Sequence, residues 1–214
     1  VTDLAEGVFG GCSSLEKLTV PSMFGKTLYA LFGCEEANDM DTSLEEVYVT
    51  NETTDIAERA FYNCDSLEVI HIEGTLENVG AYAFAYCDRL EEVILADSIK
   101  TFSTSVFSNS ASLKKVWLPA SLEQLERNIF YSSKNTLVEL RTPFLGESRT
   151  STDNCSLNYL FDNNNSVYNY VSKLETLIIL GGNISGKGIS NSNIVNLTIP
   201  VYASEGVYFT VTDI

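Results

Sequence analysis

The chain of 214 residues is 44% hydrophobic and carries 29 acidic against 13 basic residues, a formal charge of −16. Its length allows one large domain or two small ones, and no run of about 18 apolar residues is present to cross a membrane as a helix. An acidic surface of this size repels nucleic-acid phosphates and anionic lipid; it serves solubility, or draws a basic partner or divalent cations.

Residues 1–12 already read as part of a repeating unit, and no initiating Met, signal peptide or lipidation motif precedes them. The expectation is a processed or excised piece of a longer protein. Phe9 is the first of seven phenylalanines at one place in the unit. Phe32, Phe61, Phe84, Phe107, Phe130 and Phe161 follow at spacings of 23, 29, 23, 23, 23 and 31 residues. A period in the twenties predicts stacked coils of chain rather than a globule built around one centre.

Each Phe is followed by a strand-like triplet: Leu18-Thr19-Val20, Val47-Tyr48-Val49, Ile70-His71-Ile72, Val93-Ile94-Leu95, Val116-Trp117-Leu118 and Leu140-Arg141-Thr142. Two more, Leu177-Ile178-Ile179 and Leu197-Thr198-Ile199, lie further on. Three positions before each stands an apolar residue: Leu15, Leu44, Leu67, Leu90, Leu113, Leu137, Leu174 and Ile194. Pleated alternation predicts the outer residues of each triplet inward and the middle one outward. The four prolines, Pro21, Pro119, Pro143 and Pro200, all directly follow a triplet. Proline has no N–H for a ladder and belongs where pairing ends.

The best-formed coil runs Ile56-x-x-x-Ala60-Phe61-x-x-Cys64-x-x-Leu67-x-x-Ile70-x-Ile72, and the same spacing returns from Val79 to Leu95. Equivalent Phe side chains are predicted to pile into a ladder in the core. Two coils are longer and resemble each other: Thr27-Leu28-Tyr29-Ala30-Leu31-Phe32 matches Ser156-Leu157-Asn158-Tyr159-Leu160-Phe161. Polar loops at 34–42 and 163–172 follow them and map to a single edge of the stack. Regularity fades towards the end. Ile184 and Ile189 stand for the usual apolar pair, Ser192 for Cys, and 201–214 leaves the pattern with a strand-like stretch at 207–211.

Ala60-Phe61-Tyr62-Asn63-Cys64-Asp65-Ser66-Leu67 resembles the unit I-x-x-x-A-F-x-x-C-x-x-L-x-x-I-x-I-P of the BspA-like leucine-rich repeat family. Residues 8–15 and 83–90 follow it nearly as well. The resemblance covers about residues 1–200, drifts after Pro143, and is specific for the repeat type but not for a ligand. It implies an α/β-type solenoid: a right-handed superhelix with a parallel β-sheet on the concave face and irregular or short helical turns on the convex face. It further implies one domain over 1–200 of about eight coils, with long coils near 25–49 and 144–179. Residues 201–214 would then cap the stack or begin another module. Family members are mostly secreted or surface-displayed proteins of bacteria and some protozoa. They resemble adhesins that bind host matrix proteins, other cells or glycans.

Chemistry-bearing motifs are few. Cys12, Cys34, Cys64 and Cys87 fall two or three residues after a Phe, and Ser110 takes that place in the next coil. Replacement by Ser and an odd total of five favour reduced, packed thiols over a disulfide framework. No C-x-x-C spacing exists and His71 is the single histidine, so zinc is not expected. The acidic loop from Glu35 to Asp41 lacks the Gly and terminal Glu of a calcium hand. Residues 181–188 fit G-x-x-x-x-G-K, but Gly188 stands where a phosphate loop needs Ser or Thr, and no helix-forming stretch follows. No nucleophile lies at recognisable spacing from His71. The chain is therefore read as a non-enzyme with no cofactor and no metal.

The middle residues of successive triplets form one outward column, in which Tyr48, His71, Ile94, Trp117 and Arg141 are the candidate binding residues. Trp, Tyr and Arg are enriched at binding hot spots, although β-propensity alone also favours Tyr, Ile and Trp on strands. Three readings follow: a module binding a protein through the sheet, a glycan-binding module stacking sugars on Trp117 and Tyr48, or a structural spacer of a larger surface protein.

Overall fold

The computed structural model describes residues 3–133, 136–153, 155–161, 173–182, 184, 189 and 194–199. The expectations for the 163–172 loop, Pro200, Ser192, the strand at 207–211 and most of the 181–188 loop fall outside these residues.

In chain order the strands are β1 (Lys17–Val20), β2 (Glu46–Glu52), β3 (Val69–Gly74), β4 (Asn78–Val79), β5 (Glu92–Ile94), β6 (Thr101–Phe102), β7 (Lys115–Trp117), β8 (Gln124–Leu125), β9 (Glu139–Thr142), β10 (Thr176–Ile179) and β11 (Asn196–Thr198). Eight of them form one parallel sheet in the order β1-β2-β3-β5-β7-β9-β10-β11, each coil pairing with the next. The triplets sit in equivalent register throughout: Thr19 faces Tyr48, Tyr48 faces His71, His71 faces Ile94, Trp117 faces Arg141 and Arg141 faces Ile178. Register is fixed because a one-residue slip would turn every buried side chain to water. Val47, Val49, Ile70, Ile72, Val116, Leu118, Leu177 and Ile179 are accordingly buried.

Three positions, Leu197, Ile199 and Leu95, depart from the inward expectation; Ile199 is only partly buried, one residue past the end of β11. Leu197 is 48% exposed, because β11 is the last strand of the sheet and has a neighbour only on the β10 side. Leu95 is only partly buried, because β5 stops at Ile94. A second departure is architectural. β4, β6 and β8 form a separate three-stranded parallel sheet whose inward residues Val79, Phe102 and Leu125 are buried. Turns alone were expected there.

The Phe ladder fills the core between the two sheets and the turns. Phe61, Phe84, Phe107 and Phe130 are fully buried, with successive ring centroids 5.5, 5.3 and 5.5 Å apart and interplanar angles of 15°, 14° and 12°. Their amides continue the ladder: Phe61 donates to the Ala83 carbonyl, Phe84 to Val106, Phe107 to Ile129 and Phe130 to Leu160. Each of these Phe residues is flanked two positions away on both sides by left-handed backbone, at Arg59 and Asn63, Tyr82 and Tyr86, Ser105 and Asn109, Asn128 and Ser132. In the first coil Gly7 and Gly11 hold the same two places. The paired left-handed residues bend the chain sharply around the ring.

The position three residues after Phe is a hydrogen-bond column. Cys87 Sγ donates to the Phe61 carbonyl at 2.9 Å, Ser110 Oγ to the Phe84 carbonyl at 2.8 Å, and Ser133 Oγ to the Phe107 carbonyl at 3.2 Å. That shared acceptor is why Cys and Ser alternate there. All five cysteines are free. Burial pushes the Cys64 thiol well up and the Cys87 thiol up to about 12. Cys34 is not in the column; its sulfur lies 3.4 Å from the Asp39 carbonyl.

The two long coils are alike, as their sequences suggested. α1 (Leu28–Leu31) and α2 (Leu157–Phe161) replace the turns of the short coils. Thr27 caps α1, accepting from the Ala30 amide. A bulge between Val49 and Glu52 adds one residue to β2 and turns Glu52 inward, fully buried. Its carboxylate accepts from Ser22 Oγ at 2.6 Å, the Met23 amide at 2.7 Å, Thr54 Oγ1 at 2.6 Å and the Thr54 amide at 3.1 Å. It thereby fastens the turn after Pro21 to the next coil. Gly74 covers this point closely, since a Cβ there would lie 1.9 Å from the Glu52 carbonyl oxygen.

Candidate interaction surface

The outward column of the main sheet rests on a backbone whose alternate residues are locked in the core, so its side chains are displayed from a rigid support. The parallel register carries Tyr48, His71, Ile94, Trp117 and Arg141 onto consecutive strands. Ile94 and Trp117 are 41% and 47% exposed, large apolar surface that folding leaves in water. Tyr48, His71 and Arg141 are half-buried.

Neighbouring side chains hold these residues in place. Lys17 Nζ lies 4.2 Å over the Tyr48 ring and 2.8 Å from Glu46 Oε2. The hydrogen bond with Lys17 lowers the Glu46 pKa, and the same bond raises that of Lys17. The Tyr48 and His71 rings meet edge-on at 5.8 Å, and His71 Nε2 is 3.4 Å from Glu73 Oε1. Three coils on from Tyr48, a lysine again lies over an aromatic ring. Lys115 Nζ lies 4.0 Å over the Trp117 ring, and the indole N–H donates to Glu139 Oε1. A cation over one face and a hydrogen bond at the edge fix the indole orientation.

The five residues divide into two groups. Ile94, Trp117 and Arg141 line a depression of about 390 Å³ that runs past the ends of the short strands to Asp97 and Pro119. Tyr48 and His71 lie beside it on the neighbouring strands and do not line it. β5 and β7 are only three residues long, and the depression lies past their ends. Pro119 was expected at a strand end, but neither it nor Asp97 was foreseen as lining a depression.

His71 faces Glu73 and Tyr48, and among the described residues no group of three His, Cys, Asp or Glu is placed to hold a metal ion. No described helix is long and apolar enough to cross a membrane. The shoulder acids form ion pairs along the stack, Arg89 with Glu68 and Lys114 with Glu91. On exposed surface these contribute little individually.

A family model described as the BspA type leucine rich repeat region, in six copies, matches residues 35–157. No curated protein sequence matches the chain. Among solved structures, the crystal structure of the T. pallidum leucine-rich repeat protein is similar with a TM-score of 0.51 at 19% identity, over 72% of this chain and 68% of that one. Identity at that level shows a shared fold alone.

Proposed function

From membership of the BspA-type leucine-rich repeat family, to which the chain belongs, we propose that it is a non-enzymatic interaction module of a secreted or cell-surface protein. It binds a protein partner, such as a host matrix or cell-surface protein, through the outward column of its main sheet. The observation that carries the reading is the pair Ile94 and Trp117, exposed at the centre of a rigid sheet and flanked by Arg141, Tyr48 and His71. Apolar and aromatic anchors with an Arg beside them are the composition of an interface centre.

A second reading has the same face stacking a glycan, and it is favoured by the open indole of Trp117 above a depression of about 390 Å³. Trp117→Ala, compared with the parent on immobilised matrix proteins and on a glycan array, tests both. Truncating an interface anchor costs about 2 kcal/mol or more, a loss of at least about thirtyfold in affinity, while the exposed site leaves the melting temperature unchanged. Loss on the protein surface supports the first reading, and loss confined to glycans supports the second. Undiminished binding on both would remove Trp117 and its sheet face from the interface, and no binding by the parent on either would leave the module a structural spacer.

A further inference from the structure

The second sheet ends at β8, and a crevice of about 490 Å³ lies between that strand and residues 147–153. It shares no residue with the depression on the main sheet. Its frame is fixed by several bonds. Gln124 and Ser148 form an antiparallel bridge, and the Leu125 amide donates to the Glu147 carbonyl at 2.8 Å. The Ser148 amide donates to Ser151 Oγ at 2.9 Å, which closes the 148–151 turn. On the other side the Tyr159 hydroxyl donates to the Leu125 carbonyl at 2.9 Å, with the Arg127 guanidinium 5.8 Å over its ring.

The groups aimed into this frame are polar and of mixed kind. Glu147 and Asp153 only accept hydrogen bonds, Arg127 only donates, and the Gln124 amide and the Thr152 hydroxyl do both. The side chains of Gln124, Glu147 and Thr152 make no hydrogen bond to another described residue, so their bonding capacity is open to a ligand. The volume lies within the roughly 300–1,000 Å³ of small-molecule sites, but such sites are normally apolar and this one is not. An apolar ligand finds little to pack on, because Tyr159 is itself buried. An anion meets two carboxylates against one guanidinium, on a chain of net charge −16. A bare cation meets Arg127 and no described cluster of three ligating groups.

A neutral polyol satisfies all of these groups at once, since each of its hydroxyls both donates and accepts. We propose that this crevice is a second binding site that takes one or two residues of a neutral saccharide. It is independent of the sheet-face reading, because no lining residue is common to the two surfaces.

The test is a titration of the whole chain with lactose, maltose, cellobiose and chitobiose at tens of millimolar, followed by saturation-transfer NMR and by amide shifts. The expected result is saturable binding of at least one disaccharide, with shifts at Gln124, Arg127 and Ser148. Asp153→Ala and Gln124→Ala, both at exposed positions, should each weaken it about tenfold, and Trp117→Ala should leave it unchanged. The proposal is overturned if none of the four sugars saturates, or if binding survives both crevice variants. Loss with Trp117→Ala instead would overturn it by moving the sugar to the main sheet.

Discussion

Glu52→Ala removes a fully buried carboxylate that fastens a long coil to its neighbour. Two of its four donors belong to Ser22 and Met23, which are 4% and 1% exposed. The other two belong to Thr54, which is exposed and can turn to water. Leaving two buried donors without an acceptor costs about 1–3 kcal/mol each, so the variant should lose about 2–6 kcal/mol. Glu52→Gln separates the parts. Its amide keeps one oxygen for Ser22 and Thr54 but presents an N–H to the Met23 N–H, orphaning a single donor for about 1–3 kcal/mol. Urea unfolding followed by circular dichroism should rank the parent above Gln and Gln above Ala, with unchanged transition slopes. If Ala unfolded within about 0.5 kcal/mol of the parent, or Gln proved worse than Ala, the carboxylate would not be the anchor described.

Phe84→Ala, which empties the middle of a stack with rings 5.5 and 5.3 Å away, should cost about 3–5 kcal/mol; melting like the parent would remove the ladder from the core. Alkaline pH should weaken the fold through Cys87, whose thiol titrates at about 12 when buried against a reference of 9.0. Its contribution is complete below pH 9 and is lost as pH rises towards 12, because the unfolded chain releases the proton first. The loss at pH 10 is about 1 kcal/mol. Comparing pH 8 with pH 10 in urea, Cys87→Ser should show a shallower decline than the parent while keeping the donor that Ser110 supplies in the next coil. At the exposed left-handed Ser132, φ 66°, Ser132→Val should cost about 1–2 kcal/mol and Ser132→Gly should not destabilise; equal melting temperatures for the two would show that the bend imposes no backbone demand.

The main sheet was legible because two periods coincide in the sequence, alternation within each triplet and recurrence of Phe between coils. Tyr48, His71, Ile94, Trp117 and Arg141 could be placed on one face for the same reason. Much of what escaped shares the 23-residue period but carries no residue pattern of its own. The two-residue strands Asn78–Val79, Thr101–Phe102 and Gln124–Leu125 are too short to alternate. Glu52 reads as a solvated residue until a bulge reverses its direction. The left-handed positions were visible only in Gly7 and Gly11, since other coils fill them with Arg, Tyr, Ser and Asn. The crevice residues come from two coils that meet only through folding, so no motif announces them.

The unshifted register has a mechanical consequence. Each short coil is joined to the next by the same small set of backbone hydrogen bonds, so force applied along the chain loads one seam at a time, like a zip, instead of shearing all eight strands together. A seam between short coils releases 23 residues, roughly 75–80 Å of extensible chain, and the two long coils release 29 and 31. A stack built this way lengthens in steps under load and shortens by restacking when the load is withdrawn.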